Sequence, residues 1–155
     1  MKEISTNQPS PLESTSTSPP EAELEEAKQF ITDLLAFNSE DFLIDQTDAY
    51  FKAKANEDPQ RLADLLRGLA NSGDSEFIEC ATDGVVNLYS ADAEIGRQVW
   101  EWMVTNEATY GDAVNTLNEC MAPDPDRPFT RREIADYAAI RRRGEEYHKS
   151  RLQQE

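Results

Sequence analysis

Few residues of this chain are of types that carry out catalysis. The single histidine, His148, lies in a run of charged residues, where an exposed, inert imidazole is expected rather than a general base. Cys80 and Cys120 stand at helical spacing among apolar residues, with no histidine or basic cluster near them in sequence to generate a thiolate. Both are expected to be small buried hydrophobes, and two cysteines make neither a disulfide framework nor metal-ligand spacing. Carboxylates are more abundant. Glu76, Glu79 and Asp83 share one side of a helix, and Asp124 and Asp126 share a proline-rich segment. A divalent cation needs oxygens converging from several elements, and these spacings do not match a calcium loop, so a solvated face is expected. Dinucleotide-binding, Walker, nucleophile-elbow and zinc-protease motifs are all missing from the sequence. No catalytic residue, cofactor or metal is expected from the sequence.

Two other features invite interaction chemistry. The first is the segment Thr130 to Ile140, followed by Arg141, Arg142 and Arg143. It resembles the first helix and turn of a helix-turn-helix DNA-binding motif, with Ile134 and Ala135 as the packing pair. That resemblance implies nucleic-acid contacts from Arg131, Arg132, Arg141, Arg142 and Arg143. It departs from the pattern at Ala139, where glycine is wanted, and at Glu145 and His148, where buried apolar residues are wanted. A capped terminal helix that docks by its first turns and trails a charged end is the favoured reading. The second feature is the pair Trp100 and Trp102, which diverge by about 200° around a helix and so cannot both face one core. Either this helix is sandwiched in the core, or one indole is presented outward as an interface anchor. The interface reading falls on Trp100, with Gly96, Met103 and Val104 beside it.

Charge narrows the class of partner. The 155 residues include 15 Lys and Arg against 31 Asp and Glu, a formal net charge of −16. Residues 127–155 carry eight basic and five acidic groups, a net of +3, which leaves −19 on residues 1–126. A body this acidic repels phosphate backbones and anionic membranes and attracts basic proteins.

The elements that must position these residues read as helices. Residues 1–20 contain 12 Ser, Thr or Pro and are expected to form a disordered tail. Ser18-Pro19-Pro20-Glu21 then reads as a helix start, and Leu24, Ala27, Phe30, Ile31, Leu34 and Leu35 make one apolar face through about Asn38. A second helix is expected from Glu40 to about Ala55, with Phe42, Leu43, Ala49, Tyr50 and Ala53 inward and Gln46 interrupting them. Asp58-Pro59 caps a third, striped by Leu62, Leu65, Leu66 and Leu69 and stopped by Gly73. Further helices are expected near 75–89, 93–105 and 109–121, Gly84 being a mild cost within the first of these. Ala122 to Pro128 is a loop, because its prolines forbid helix. Thr130 and Glu133 form a capping box for the last helix, with Phe129 and Ile134 placed as a hydrophobic staple. Its apolar face is expected to end at Ile134, Tyr137, Ala138 and Ile140, and Gly144 to weaken the charged turns beyond.

β-Branched alternation is absent, so the expected fold is all-α: an irregular bundle of about six or seven short helices, or stacked helical hairpins. The expected domains are the tail (1–20), an acidic helical domain (21–140) and a basic, charged C-terminal helix end or tail (141–155). With no run of 18 apolar residues and no apolar leader at Met1, a cytoplasmic location is expected. In composition the chain is similar to small acidic helical accessory proteins of phages and mobile elements. The expected function is a non-catalytic acidic interaction module engaging a basic protein or its own copy. A nucleic-acid accessory factor and a metal-dependent enzyme with an acidic cleft are the alternatives.

Overall fold

The computed structural model describes residues 21–36, 40–122 and 130–154; at 40–44 and 154 only the helical backbone is described. Seven helices make up the described residues. They are α1 (Glu21–Leu35), α2 (Glu40–Glu57), α3 (Pro59–Ala70), α4 (Ser75–Ala91), α5 (Ala93–Val104), α6 (Glu107–Met121) and α7 (Arg131–Gln154). The expected tail, the Ser18 cap, the end of the first helix at Asn38, the prolines of 123–128 and the Phe129 staple lie outside the described residues.

Helix boundaries arise from side chains that satisfy the free N–H groups of a first turn. The Asp58 carboxylate accepts from the Arg61 N–H, with Pro59 in the first helical position. Asp74 accepts from the N–H groups of Glu76 and Phe77, Asp92 from Ile95 and Asn106 from Ala108. Thr130 and Glu133 form the expected reciprocal box: the Thr130 N–H donates to the Glu133 carboxylate, and the Glu133 N–H donates to the Thr130 hydroxyl. Gly73 takes a positive φ of 81° in the turn between α3 and α4, a conformation other residues rarely adopt.

The packing order is regular. Each helix packs on its neighbours in the chain and on the helix two positions along. The result is a stack of helical hairpins with α1, α3, α5 and α7 in one layer and α2, α4 and α6 in the other. Within the stack, α3, α4 and α5 each touch four other helices. α5 buries Gly96, Val99, Trp100, Met103 and Val104 among these neighbours and keeps one polar edge, Glu94, Arg97, Gln98 and Glu101, of which Glu94 and Gln98 are exposed. The core runs continuously through the stack, from Ala27 and Ile31 of α1 to Tyr137 and Ile140 of α7.

Two expectations about side chains are corrected. On α2 the inward face carries Thr47, Phe51 and Ala55, all buried, whereas Ala49 and Ala53 are not among the buried residues. Thr47, Phe51 and Ala55 follow one another at four-residue spacing on one face, and Gly84 of α4 accommodates it: an added Cβ there would lie 2.5 Å from a Leu66 methyl and 3.1 Å from the Phe51 ring. On α7 the docked face does not end at Ile140. It continues to Gly144, buried against Val104 and Tyr110, and to His148.

Candidate functional site

The four residues of the expected interface do not form one. Gly96 is buried, and Trp100, Met103 and Val104 are each fully inaccessible. The sandwich reading therefore holds for Trp100. It lies edge-on to Tyr137 of α7, ring centres 6.5 Å apart, and its indole N–H has no acceptor among the described residues. α7 covers Trp100 and Val104, and Tyr89 of α4 covers Gly96, so the face offered to a partner is filled from within the chain. Trp102 is the half-buried indole, with the Arg67 guanidinium 5.9 Å from its ring centre.

The arginines do not lie in a helix-turn-helix. Residues 131–154 are one uninterrupted helix, so the turn required by the helix-turn-helix resemblance is absent. Arg141 donates to the Asn118 side-chain oxygen at 2.7 Å, and Arg143 pairs with the Glu101 carboxylate. Arg131, Arg132 and Arg142 are exposed.

His148 is not a free surface side chain, which corrects the sequence expectation. Its Nε2 lies 2.9 Å from the carbonyl oxygen of Val104, the last residue of α5. Its ring packs on Tyr110, with centres 4.2 Å apart. The histidine thus satisfies a carbonyl that the end of α5 leaves without a helical partner. The signal was present in the spacing Tyr137, Ile140, Gly144, His148. It was concealed because a glycine and a histidine stand where an apolar stripe normally shows aliphatic residues.

Cys80 and Cys120 are buried and unpaired with each other. Burial, reinforced by the carboxylates of Asp83, Glu79 and Glu76, pushes the Cys80 thiol up to about 12, which keeps it protonated and unreactive. Glu76 and Glu79 are exposed, and Asp83 is half-buried. No group of three or more His, Cys, Asp or Glu side chains suited to a metal occurs among the described residues. Nor is any described helix long and apolar enough to cross a membrane.

Sequence reasoning missed two polar networks. The Tyr89 hydroxyl of α4 donates to Asp136 of α7, which also receives Arg97 of α5 at 3.3 Å. Tyr89 and Arg97 hold the Asp136 carboxyl below its ordinary value, while burial and that carboxylate push Tyr89 up to about 12. At the other end of the stack, Glu23 of α1 pairs with Lys54 at 3.2 Å and Arg61 at 2.9 Å. Burial alone would raise Glu23, but the two cations hold it below its ordinary value. Tyr50 is pushed up to about 12 by burial and by the carboxylates of Glu26 and Glu23. Each network joins helices, so both are latches of the stack; the Glu23 cluster also lines a shallow recess with Glu57, Asp58 and Leu62.

These shifts predict a stability profile that falls on both sides of neutrality. Folded Asp136 and Glu23 bind protons more weakly than the unfolded chain does. Their contribution is present above roughly pH 4 and is lost as pH falls through the depressed folded values. Folded Tyr50, Tyr89 and Cys80 hold their protons more tightly, so their contribution is intact below about pH 9 and is lost as pH rises toward 12. Urea midpoints measured across pH should fall on both limbs. Asp136→Asn should lower the midpoint at neutral pH and flatten the acid limb, and Tyr89→Phe should flatten the alkaline one.

The class of protein this defines is an all-α hairpin stack with a buried aromatic centre and polar latches. Comparison with protein-family models, curated proteins and solved structures gives no match to this chain.

Proposed function

We propose that this chain is a non-catalytic interaction module, an adaptor, inhibitor or assembly factor, whose acidic surface engages a basic protein partner. The supporting observation is the distribution of charge over the stack. Residues 68–126 contain twelve acidic side chains and one basic one, Arg97. α4 and α6, which lie within that span, carry no Lys or Arg, and they are joined by the Thr82–Thr116 hydroxyl hydrogen bond at 2.9 Å. Among the described residues none of Glu76, Glu79, Glu107, Asp112 and Glu119 has a cationic partner within salt-bridge distance. An unneutralised region of this kind speeds encounter with a basic surface and disfavours nucleic acid.

The test is affinity capture with the full chain beside a Glu76→Gln/Glu79→Gln/Glu107→Gln/Asp112→Asn/Glu119→Gln variant, each at low and high salt. The expected result is a basic protein captured by the native chain at low salt and lost in the other three conditions. A catch that is indifferent to both neutralisation and salt overturns the reading. So does salt-sensitive binding to labelled duplex DNA that is abolished by Arg131→Ala/Arg132→Ala/Arg142→Ala.

A further inference from the structure

The stack ends in two helices of opposite charge. α1 packs against α2 and α3, and α7 against α5 and α6, so each turns an outer face away from the body. α1 holds five acidic residues and one lysine, a net of −4, with Glu21, Glu25, Glu26 and Asp33 exposed. α7 holds seven arginines and lysines and four acids, a net of +3; at its far end Arg142, Arg143, Lys149 and Arg151 are exposed, beside exposed Glu145 and Glu146. The last two turns of α7 also carry both of the exposed large hydrophobic residues among those described, Tyr147 (37% exposed) and Leu152 (72%). Arg151 lies 5.9 Å from the Tyr147 ring centre and also lines the recess beside Leu152, Tyr110 and His148.

We propose that this basic, aromatic end of α7 docks on the acidic outer face of α1 in a second copy of the chain, joining copies head to tail. Charge complementarity selects this occupant. Two chains of −16 repel at long range, but the repulsion is screened beyond about 8 Å at physiological ionic strength. At contact distance the exposed end of α7 brings four cations and two glutamates, a net of +2, against the four exposed acids of α1, whereas two acidic bodies would bring like charges together. Tyr147 and Leu152 stand on either side of Arg151 and add apolar contact beside it. Because the two surfaces differ, the contact is heterologous and leaves a free α1 and a free α7 at the ends of every assembly. Growth therefore does not stop at two copies. This inference does not depend on the basic partner proposed above, since it uses α1 and α7 rather than the α4 and α6 acids.

Sedimentation velocity over a concentration series at physiological ionic strength should show the native chain's mass rising past that of a dimer. One variant neutralises α7 (Arg142→Gln/Lys149→Gln/Arg151→Gln/Leu152→Ser) and another neutralises α1 (Glu21→Gln/Glu25→Gln/Glu26→Gln/Asp33→Asn). Each alone should stay monomeric, with an association constant lowered about tenfold or more. Mixed, they should form a dimer and nothing larger, because each supplies the surface the other lacks. Circular dichroism on both variants establishes that they remain folded. A native chain that is monomeric at every concentration overturns the proposal, as do neutralised variants that still associate alone or a mixture that stays monomeric. Capture of a basic protein by the α7-neutralised variant is a separate readout, so either reading can fail without the other.

Discussion

Replacing Trp100 with alanine should destabilise the protein by about 3–5 kcal/mol, the range for emptying a large aromatic site in a closed core. A domain of ordinary stability has about 5–15 kcal/mol in total, so this one change consumes much of the margin. The corresponding fall in Tm is about 10–20 °C, measurable by circular dichroism or calorimetry. Trp100 carries this effect because it is fully inaccessible and touches the stack where α7 closes over α5. Trp100→Phe should cost less than about 2 kcal/mol, because it keeps most of the ring volume and removes an indole N–H that has no acceptor among the described residues. Trp102→Ala should cost about 1–2 kcal/mol, since that indole is half-buried and adds mainly its contact with Arg67. The order Trp100→Ala, then Trp102→Ala, is the decisive comparison. Equal losses, or a larger loss at Trp102, would mean that α7 does not close over Trp100 as described.

The two tryptophans also mark how far the sequence could be read. Capping residues and leucine spacing placed helices because they act locally: Asp58 with Pro59, and Thr130 with Glu133, perform in the structure the roles their types predict. The helix order read from the sequence was compatible with stacked hairpins as well as with an irregular bundle. What stayed hidden depends on which helix neighbours which. Trp100 and Trp102 are indistinguishable until α7 is known to lie over one of them. On α2, Phe51 is inward and Ala49 is not, and the room for that ring is provided by a glycine on another helix, α4. Gly144 and His148 looked like defects of an exposed helix. They are instead the contact that seats α7 on the end of α5, one by lacking a side chain and one by meeting the Val104 carbonyl. The candidate interface failed for the same reason: an apolar face on α5 needs an occupant, and the chain supplies its own.

The corner between α4 and α5 leads to the second large effect. A single residue, Asp92, ends one helix and starts the next: its N–H donates to the Leu88 carbonyl, and its carboxylate accepts from the Ile95 N–H. Helices joined this tightly must cross at once, and Gly96 sits at the crossing. An added Cβ there would lie 2.5 Å from Tyr89 Cα and 2.8 Å from Tyr89 N, both atoms of the α4 backbone rather than the tip of a flexible side chain. The one-residue link leaves neither helix free to slide, so the overlap has to be relieved by displacing Tyr89. That displacement pulls its hydroxyl off Asp136, so the strain reaches α7 through the latch. Overpacking of this kind typically costs about 1–3 kcal/mol, and the backbone contact places Gly96→Ala at or above the upper end. The intrinsic preference of a helix for alanine returns at most about 1 kcal/mol, leaving a net loss of about 2 kcal/mol. Gly111→Ala on α6 isolates that preference: the position is exposed, and nothing lies within 4 Å of the added carbon. It should stabilise by about 0.5–1 kcal/mol. Urea unfolding of the two variants should therefore shift the midpoint in opposite directions. A Gly96→Ala protein as stable as the Gly111→Ala protein would show that α4 and α5 do not meet at this corner.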